Sequence, residues 1–467
     1  MIEQKNFKRE ADKIVDWIDA YFKRLPTLPV KSQVKPHDIY SQIPTSAPLL
    51  AEGIDAILSD LDSIILPGIT HWQHPSFHAY FPANSSYESL LGEMVTAAFG
   101  AQCMVWETSP AAAELEERMT EWMAQAAGLP ETFTGVIQES ASSATLVALI
   151  TARERATQFN SNLNGIPQGL RVYCSSEAHS SIEKGVGVAG IGRNNLVKIE
   201  TDSEQRMIPH KLEKAICDDL TAGLTPICVV AAIGTTGTVA IDPLEEIAAI
   251  CKKYNIWLHV DAAYAGTALL LPEYRYICQG IEQADSLVFN PHKWMFVNFD
   301  CSLYYVRDTE SLIRTFDILP EYLKTATHGL VNDYRDWGIP LGRRFRALKL
   351  WFVLRGMGLD GIRQKLREQI ALNEYFAREI LKSGHFEVLH KPFLGFTLFR
   401  VDSKDDSVSE KLLAAVNASG EVYLSHTKIN DRFAIRFHAT QTYVQQKDVD
   451  KAVEILNRFL QRSASQS

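Results

Sequence analysis

Cysteine is scarce. Seven in 467 residues stand at 103, 174, 217, 228, 251, 278 and 301, with no Cys-x-x-Cys pair. That scatter argues against a disulfide framework or a structural zinc site, and fits free buried thiols in a reducing cytoplasm. No apolar run approaches the ~20 residues that a membrane span needs. Basic charge is not in excess either: 47 Lys and Arg face 56 Asp and Glu, a net charge of −9. This balance argues against nucleic acid or an anionic membrane as the main partner, because both attract a basic surface. The opening "MIEQKNFKREADKIVDWIDAYFKRL" lacks the layout of a signal peptide. Internal repeats are absent, and the only low-complexity stretch is the polar tail "RSASQS".

What is present is an ordinary globular mix, 46% hydrophobic and 22% charged. Phe7, Ala11, Ile14, Val15, Ile18, Tyr21 and Phe22 fall on one face of a helix. A proline-rich strap follows over 26–50, then a second helix over 51–65. From about 86 to 345 strand and helix signals alternate. "TGVIQES", "RVYCSS", "PICVVAAIG", "IWLHVDAAYAG" and "SLVFN" read as strands, and "SSATLVALITARERA", "SSIEKGVGVAG" and "LEEIAAICKKYN" as helices. Such alternation predicts an α/β domain with a mostly parallel sheet. Helix is expected over 349–385, and a small α+β tail after it. The expected divisions are a helical segment at 1–85, a large α/β domain at 86–348 and a small α+β domain at 349–467.

In open α/β sheets ligands bind beyond the carboxyl ends of the strands, and the polar clusters of this chain sit there. Asp261 ends the apolar strand of "WLHVDAAYAG". A carboxylate there is costly to bury without a cation, although an Asp can also simply cap a turn. Lys293, in "FNPHKWMFVNFD", ends the next strand signal, about one βα unit on. Two successive strand ends would bring the acid and the lysine to one rim. A plain ion pair is one reading. Pyridoxal 5′-phosphate is the better one, since it needs a lysine, an acid facing its pyridine nitrogen, and a phosphate site. The apolar flanks of Lys293 would lower its pKa and make it a competent nucleophile. The Ser-rich turn "QESASSATL" offers a helix N-terminus to the phosphate, although plain capping by Ser140 or Ser142 would also explain it. His179 follows another strand, where an imidazole could lie flat on the ring.

"NPHKW", "HVDAAYAG", "THWQHP", "AYFPANSSY", "SPAAAELE" and "WGIPLGRRFRALKLWFVLR" together resemble the group II pyridoxal-phosphate decarboxylases, in the branch of the aromatic-L-amino-acid decarboxylases. The resemblance covers roughly residues 7–460. It implies a fold-type I enzyme of the α/β class, and a homodimer with active sites at the subunit interface. Residue by residue it implies Lys293 as the Schiff-base lysine, Asp261 as partner of the pyridine nitrogen, and His179 stacked on the ring. Ser140, Ala141, Ser142, Asn290 and His292 match the phosphate-side residues. Ala263 matches the residue under the ring, and Thr236 a threonine near the cofactor. Tyr322 matches the tyrosine of a loop that closes over the substrate. There, tyrosine goes with clean decarboxylation and phenylalanine with aldehyde formation.

Trp72, Tyr80, Phe81, Gln102 and Met104 match the side-chain pocket, with Gln102 and Met104 expected from the partner subunit. Their character suits an aromatic ring, and no arginine stands in those stretches to meet a second carboxylate, as glutamate would require. Gly342 matches a position that separates indolic from phenolic substrates in plant relatives, and glycine there leaves room for indole. His78 and Gln102 could also bind ring hydroxyls. Three positions depart from the family pattern: Ala83, Glu139 and Ser143. Ala83 has no hydroxyl to offer the phosphate, and Ser85 or Ser86 could supply one instead. The alternatives are an aldehyde synthase, a decarboxylase of glutamate or histidine, and a non-catalytic scaffold. Metal hydrolysis at His71, His74 and His78 lacks an acid at ligand spacing.

Overall fold

The longest apolar run of the centre, 225–232, is buried from Ile227 onward on both faces. A strand with two buried faces belongs inside a parallel sheet covered by helices, and the computed structural model, which describes residues 4–318 and 330–464, places it there. Its sheet contains β1 (Thr134–Gln138), β2 (Leu170–Ser175), β3 (Leu196–Ile199), β4 (Thr225–Ala232), β5 (Trp257–Asp261), β6 (Ser286–Phe289) and β7 (Ser302–Val306). The spatial order is β1-β7-β6-β5-β4-β2-β3. β2 through β6 pair in parallel, and β7 runs antiparallel between β1 and β6. The carboxyl ends of β1, β2, β4, β5 and β6 therefore share one rim.

The helix Ala141–Ala156 connects β1 to β2 across the sheet. Val147, Ala148, Leu149 and Ala152 on it are buried in the core with Val172, Val230 and Val288 of the strands. Because the helix lies on the sheet, its first turn projects at the same rim as the strand ends.

The chain divides into two compact units, 83–368 and a second made of 1–82 with 369–467. In the second unit β8 (Phe386–Val388), β9 (Phe396–Val401), β10 (Ser425–Ile429) and β11 (Arg432–His438) form an antiparallel sheet in the order β10-β11-β9-β8. β10 alternates buried with more open residues, as an edge strand with one wet face does. The N-terminal segment is tied to this unit through Val30 N–H donating to Gly420 O at 2.7 Å and His78 N–H to Tyr423 O at 2.9 Å. The first helix spans Gln4–Arg24 and none of its residues is buried.

The α/β class and the mostly parallel sheet are as expected, with differences of detail. The helix expected over 51–65 is regular only over Ile54–Asp60 and continues in a wider turn to Ile65. The helix expected over 349–385 is two helices within Arg346–Leu381, joined across a kink at Gly358, whose φ of 67° is not helical. All seven cysteines are free, and only Cys217 is exposed. Among the described residues no helix is long and apolar enough to cross a membrane, and no cluster of His, Cys, Asp and Glu could hold a metal ion.

Candidate active site

Lys293 sits one turn beyond β6 rather than at its end. Asn290 precedes a one-turn helix, Pro291–Trp294, and the Lys293 N–H donates to Asn290 O at 2.9 Å. Pro291 sets this turn, since its fixed φ suits the first helical position. Trp294 stacks on Tyr264 with centroids 5.0 Å apart. Met295, Phe296 and Val297 are fully buried, whereas Phe299 is exposed in the single chain. Lys293 itself is half-buried.

β5 and β6 remain paired past their ends. Ala262 N–H donates to Val288 O at 2.9 Å, and Asn290 N–H to Ala263 O at 3.0 Å. This lock sets Asp261 and Ala263 beside the lysine turn. Asp261 Oδ1 accepts the Ala263 N–H at 3.0 Å, a one-residue turn that aims the carboxylate. His179 follows β2 and caps the helix Ser180–Val188, its Nδ1 accepting the Ser181 N–H at 3.2 Å. It is solvent-reached in the single chain, yet the protein walls around it hold its imidazole below the ordinary pKa. The Asp261 carboxylate opposes that shift and the Lys293 ammonium adds to it. The imidazole thus lies within reach of the charges of both the acid and the lysine. With Nδ1 accepting, the neutral ring carries its proton on Nε2.

The phosphate-side candidates divide in two. Ser140 caps the helix Ala141–Ala156, its Oγ accepting the Ser143 N–H at 3.1 Å, so that of its first turn the Ala141 and Ser142 N–H groups remain for an anion. The other group surrounds the lysine turn. His292 Nδ1 accepts the Cys301 N–H at 2.9 Å, and burial, aided by the Lys293 charge, lowers its pKa to about 3. Its proton therefore also stands on Nε2, as a donor. Asn290 is buried with Oδ1 unpartnered. An orphaned amide oxygen there calls for a donor, while the Ala141 and Ser142 N–H groups and His292 Nε2–H are donors that fit a phosphate. Thr236 is exposed beyond β4, while its neighbour Thr235 is buried and bonds to Thr238 at 3.0 Å.

Two of the residues that depart from the family pattern touch each other. Ser143 Oγ donates to Glu139 Oε1 at 2.9 Å, so the two unusual residues pair. Ser86 Oγ caps the helix Tyr87–Phe99 by accepting the Ser89 N–H at 3.2 Å.

In the unit of residues 1–82 and 369–467, Trp72 packs on Phe77 at 4.6 Å and stacks with Tyr80 at 5.7 Å. Two residues that sequence reasoning did not single out join them. The Tyr423 hydroxyl lies 3.2 Å from that of Tyr80, and the Arg436 guanidinium lies 5.2 Å from the Phe81 ring centre. No spacing signal links positions 343 residues apart. His78 is fully buried with Nδ1 2.8 Å from His438 O, a structural role. In the unit of residues 83–368, the space above Gly342 is not open, because the Gln102 carboxamide lies over it. Met104 O accepts the Arg335 N–H at 2.9 Å. Tyr322 lies outside the described residues.

The model of the pyridoxal-dependent decarboxylase conserved domain matches residues 36–402. The chain is 40% identical to tryptophan decarboxylase 2 of Oryza sativa subsp. japonica over 97% of its own length and 94% of that protein. It is also 40% identical to phenylacetaldehyde synthase of Arabidopsis thaliana, over 97% of this chain and 96% of that one. Among solved structures, Oryza sativa TDC with PLP and tryptamine superposes with a TM-score of 0.96 at 32% identity, covering 99% of both chains.

Proposed function

The chain belongs to the pyridoxal-dependent decarboxylases, and from that premise we propose that it converts tryptophan, 5-hydroxytryptophan, tyrosine or dihydroxyphenylalanine to the corresponding amine and carbon dioxide. It is a carboxy-lyase that works with pyridoxal 5′-phosphate. The observation that carries the proposal is the convergence of Lys293, Asp261 and His179 at one rim, where the charges of the first two act on the imidazole of the third.

Bound pyridoxal phosphate supplies an aldehyde for attachment and a protonated ring that withdraws electrons from the bond being broken. Lys293 Nζ would hold the aldehyde covalently, the Asp261 carboxylate would keep the ring nitrogen protonated, and the neutral His179 ring would support the cofactor's face. Ala141 and Ser142 N–H and His292 Nε2–H would hold the phosphate, with Ser140 and Asn290 on the same side, while Ala263 would lie under the ring and Thr236 near the cofactor. The pocket walls exclude water from the substrate carboxylate, which favours loss of its charge as carbon dioxide. The Tyr322 hydroxyl returns a proton to the carbon that the carboxyl group leaves.

The working unit is a homodimer in this reading, with no part for nucleic acid or membrane. Tyr87, Leu91, Met94 and Phe99 are exposed along one helix, and Leu49 and Leu50 on the strap. Apolar surface of this kind needs a partner. The free thiols suit a cytoplasmic setting.

The test is carbon dioxide release from tryptophan, 5-hydroxytryptophan, tyrosine, dihydroxyphenylalanine, phenylalanine, histidine and glutamate. Aromatic acids are expected to turn over and glutamate not. The purified protein should be yellow and bleach with borohydride, and Lys293→Ala should abolish both colour and activity. A colourless protein with full activity would end this reading.

A further inference from the structure

The side chain that covers Gly342 is held by the backbone. Gln102 Oε1 accepts the Arg343 N–H at 2.7 Å, and Cys103 N–H donates to Arg343 O at 3.1 Å. Arg343 is itself fixed, since its guanidinium reaches Glu116 Oε1 at 2.6 Å and Ile137 O at 2.8 Å. Thr108 Oγ1 donates to Gln102 O at 2.8 Å from the other side. The segment around Gln102 and the "PLGRRF" segment therefore form one rigid clip.

The clip settles which end of the carboxamide is which. A backbone N–H can face only an acceptor, so the atom over Arg343 is the oxygen. The amino end is left over. Nε2 stands 3.2 Å from where a Cβ on Gly342 would be, in the space that glycine opens. No acceptor among the described residues meets it, and Gln102 is exposed in the single chain. A donor with fixed orientation thus replaces the empty volume that glycine alone would leave for an indole.

We propose that Gln102 is a specificity-determining residue that selects L-amino acids whose aromatic ring carries a hydroxyl. This rests on the reading above that Gln102 and Gly342 line the side-chain pocket. A phenolic oxygen accepts from Nε2–H. The N–H of an indole is itself a donor and finds no partner there, and a bare phenyl ring leaves the amide without one. A donor that the bound ring shuts off from water and leaves unpaired is where discrimination between similar side chains arises.

The experiment compares kcat/KM for tyrosine, phenylalanine and tryptophan in the wild type, Gln102→Leu and Gln102→Glu, each loaded with cofactor and checked for it by absorbance. Inhibition by 3-(4-hydroxyphenyl)propanoate and 3-phenylpropanoate gives a readout independent of turnover. The wild type should favour tyrosine over phenylalanine by about tenfold, one good hydrogen bond's worth. Gln102→Leu should bring that ratio, and the ratio of the two inhibition constants, close to one. Gln102→Glu keeps an oxygen for the Arg343 N–H but puts a second acceptor where Nε2 stood. It should raise tryptophan relative to phenylalanine. A tyrosine-to-phenylalanine ratio that Gln102→Leu leaves unchanged overturns the inference while the decarboxylase reading stands. A wild type that releases carbon dioxide from none of the three overturns the decarboxylase reading itself.

Discussion

Tyr322 and His179 divide the chemistry at the residue scale. His179 is held neutral by burial, with Nδ1 engaged and its one ring proton on Nε2. A neutral imidazole beside Lys293 adds no charge that would hinder the amine, which suits a support better than a proton donor. The proton that replaces carbon dioxide must then come from elsewhere, and the proposal assigns it to the Tyr322 hydroxyl. Replacing Tyr322 by Phe removes that proton and keeps the ring. Amine output should fall by about a hundredfold, the usual scale for losing a positioned acid, and in air, with dissolved dioxygen as the oxidant and water consumed, aldehyde, ammonia and hydrogen peroxide should appear in its place. Product analysis by mass spectrometry checks this. A Tyr322→Phe protein that still makes amine alone would remove Tyr322 from the reaction.

At the scale of elements, the site depends on how β5 and β6 stay joined beyond their ends. Gly266 makes this possible, because a Cβ there would collide with Phe289, the last residue of β6, and with Ala262. Gly266→Ala should displace the end of β6 and with it Asn290, His292 and Lys293. The cost is of the order of 1–3 kcal/mol, as for other overpacked cores. The sharper signature is a weaker hold on the cofactor, about tenfold in Kd by fluorescence titration, since the lysine turn hangs on that strand end. A variant with the wild-type Kd and melting temperature would show that the rim tolerates the shift. The pairing also shows what the sequence could reveal. β5 and β6 were legible because "WLHVD" and "SLVF" are apolar runs followed by polar residues, and the rim position of Asp261 follows from that. β7 was not, because "SLYYV" has the composition of a buried strand but nothing in it states direction, and it runs antiparallel to both neighbours. The lysine turn was misplaced by a few residues for a local reason. Pro291 ends the strand and starts a helical turn. Tyr423 and Arg436 were invisible for the opposite reason, since their approach to Tyr80 and Phe81 is set by tertiary packing and no local pattern encodes it.

At the scale of the whole molecule, the two compact units should answer acid differently. The unit of residues 1–82 and 369–467 buries His74, His78 and His438, with pKa values lowered by burial to about 4, about 3 and about 3. The charges around them push the same way: Lys451 and His71 near His74, His74 and Lys451 near His78, His78 and Arg436 near His438. Each is neutral when folded, while the unfolded chain takes up a proton below the ordinary value of 6.5. Their stability is therefore complete above that pH and is lost as the pH falls toward the folded values, about 1.4 kcal/mol per proton per pH unit. Asp448 opposes them, its carboxyl raised by burial. The unit of residues 83–368 is balanced otherwise. His259 and His292 are lowered by burial to about 4 and about 3, but Asp242 and Asp336 are raised by burial to about 6. Those two aspartates keep a proton in the folded state that the unfolded chain releases near 3.8, so between 3.8 and about 6 they gain stability as the pH falls. With His179 added and Glu117 and Glu177 also raised by burial, three histidines against four carboxyls nearly cancel there, whereas His71, His74, His78 and His438 against Asp448 alone do not. On acidification from pH 7 to pH 5, hydrogen exchange corrected for its intrinsic rate should show protection falling first in 1–82 and 369–467, with 83–368 following at lower pH. The reverse order, measured on the cofactor-loaded protein, would mean that the buried histidines of that unit do not govern its acid response.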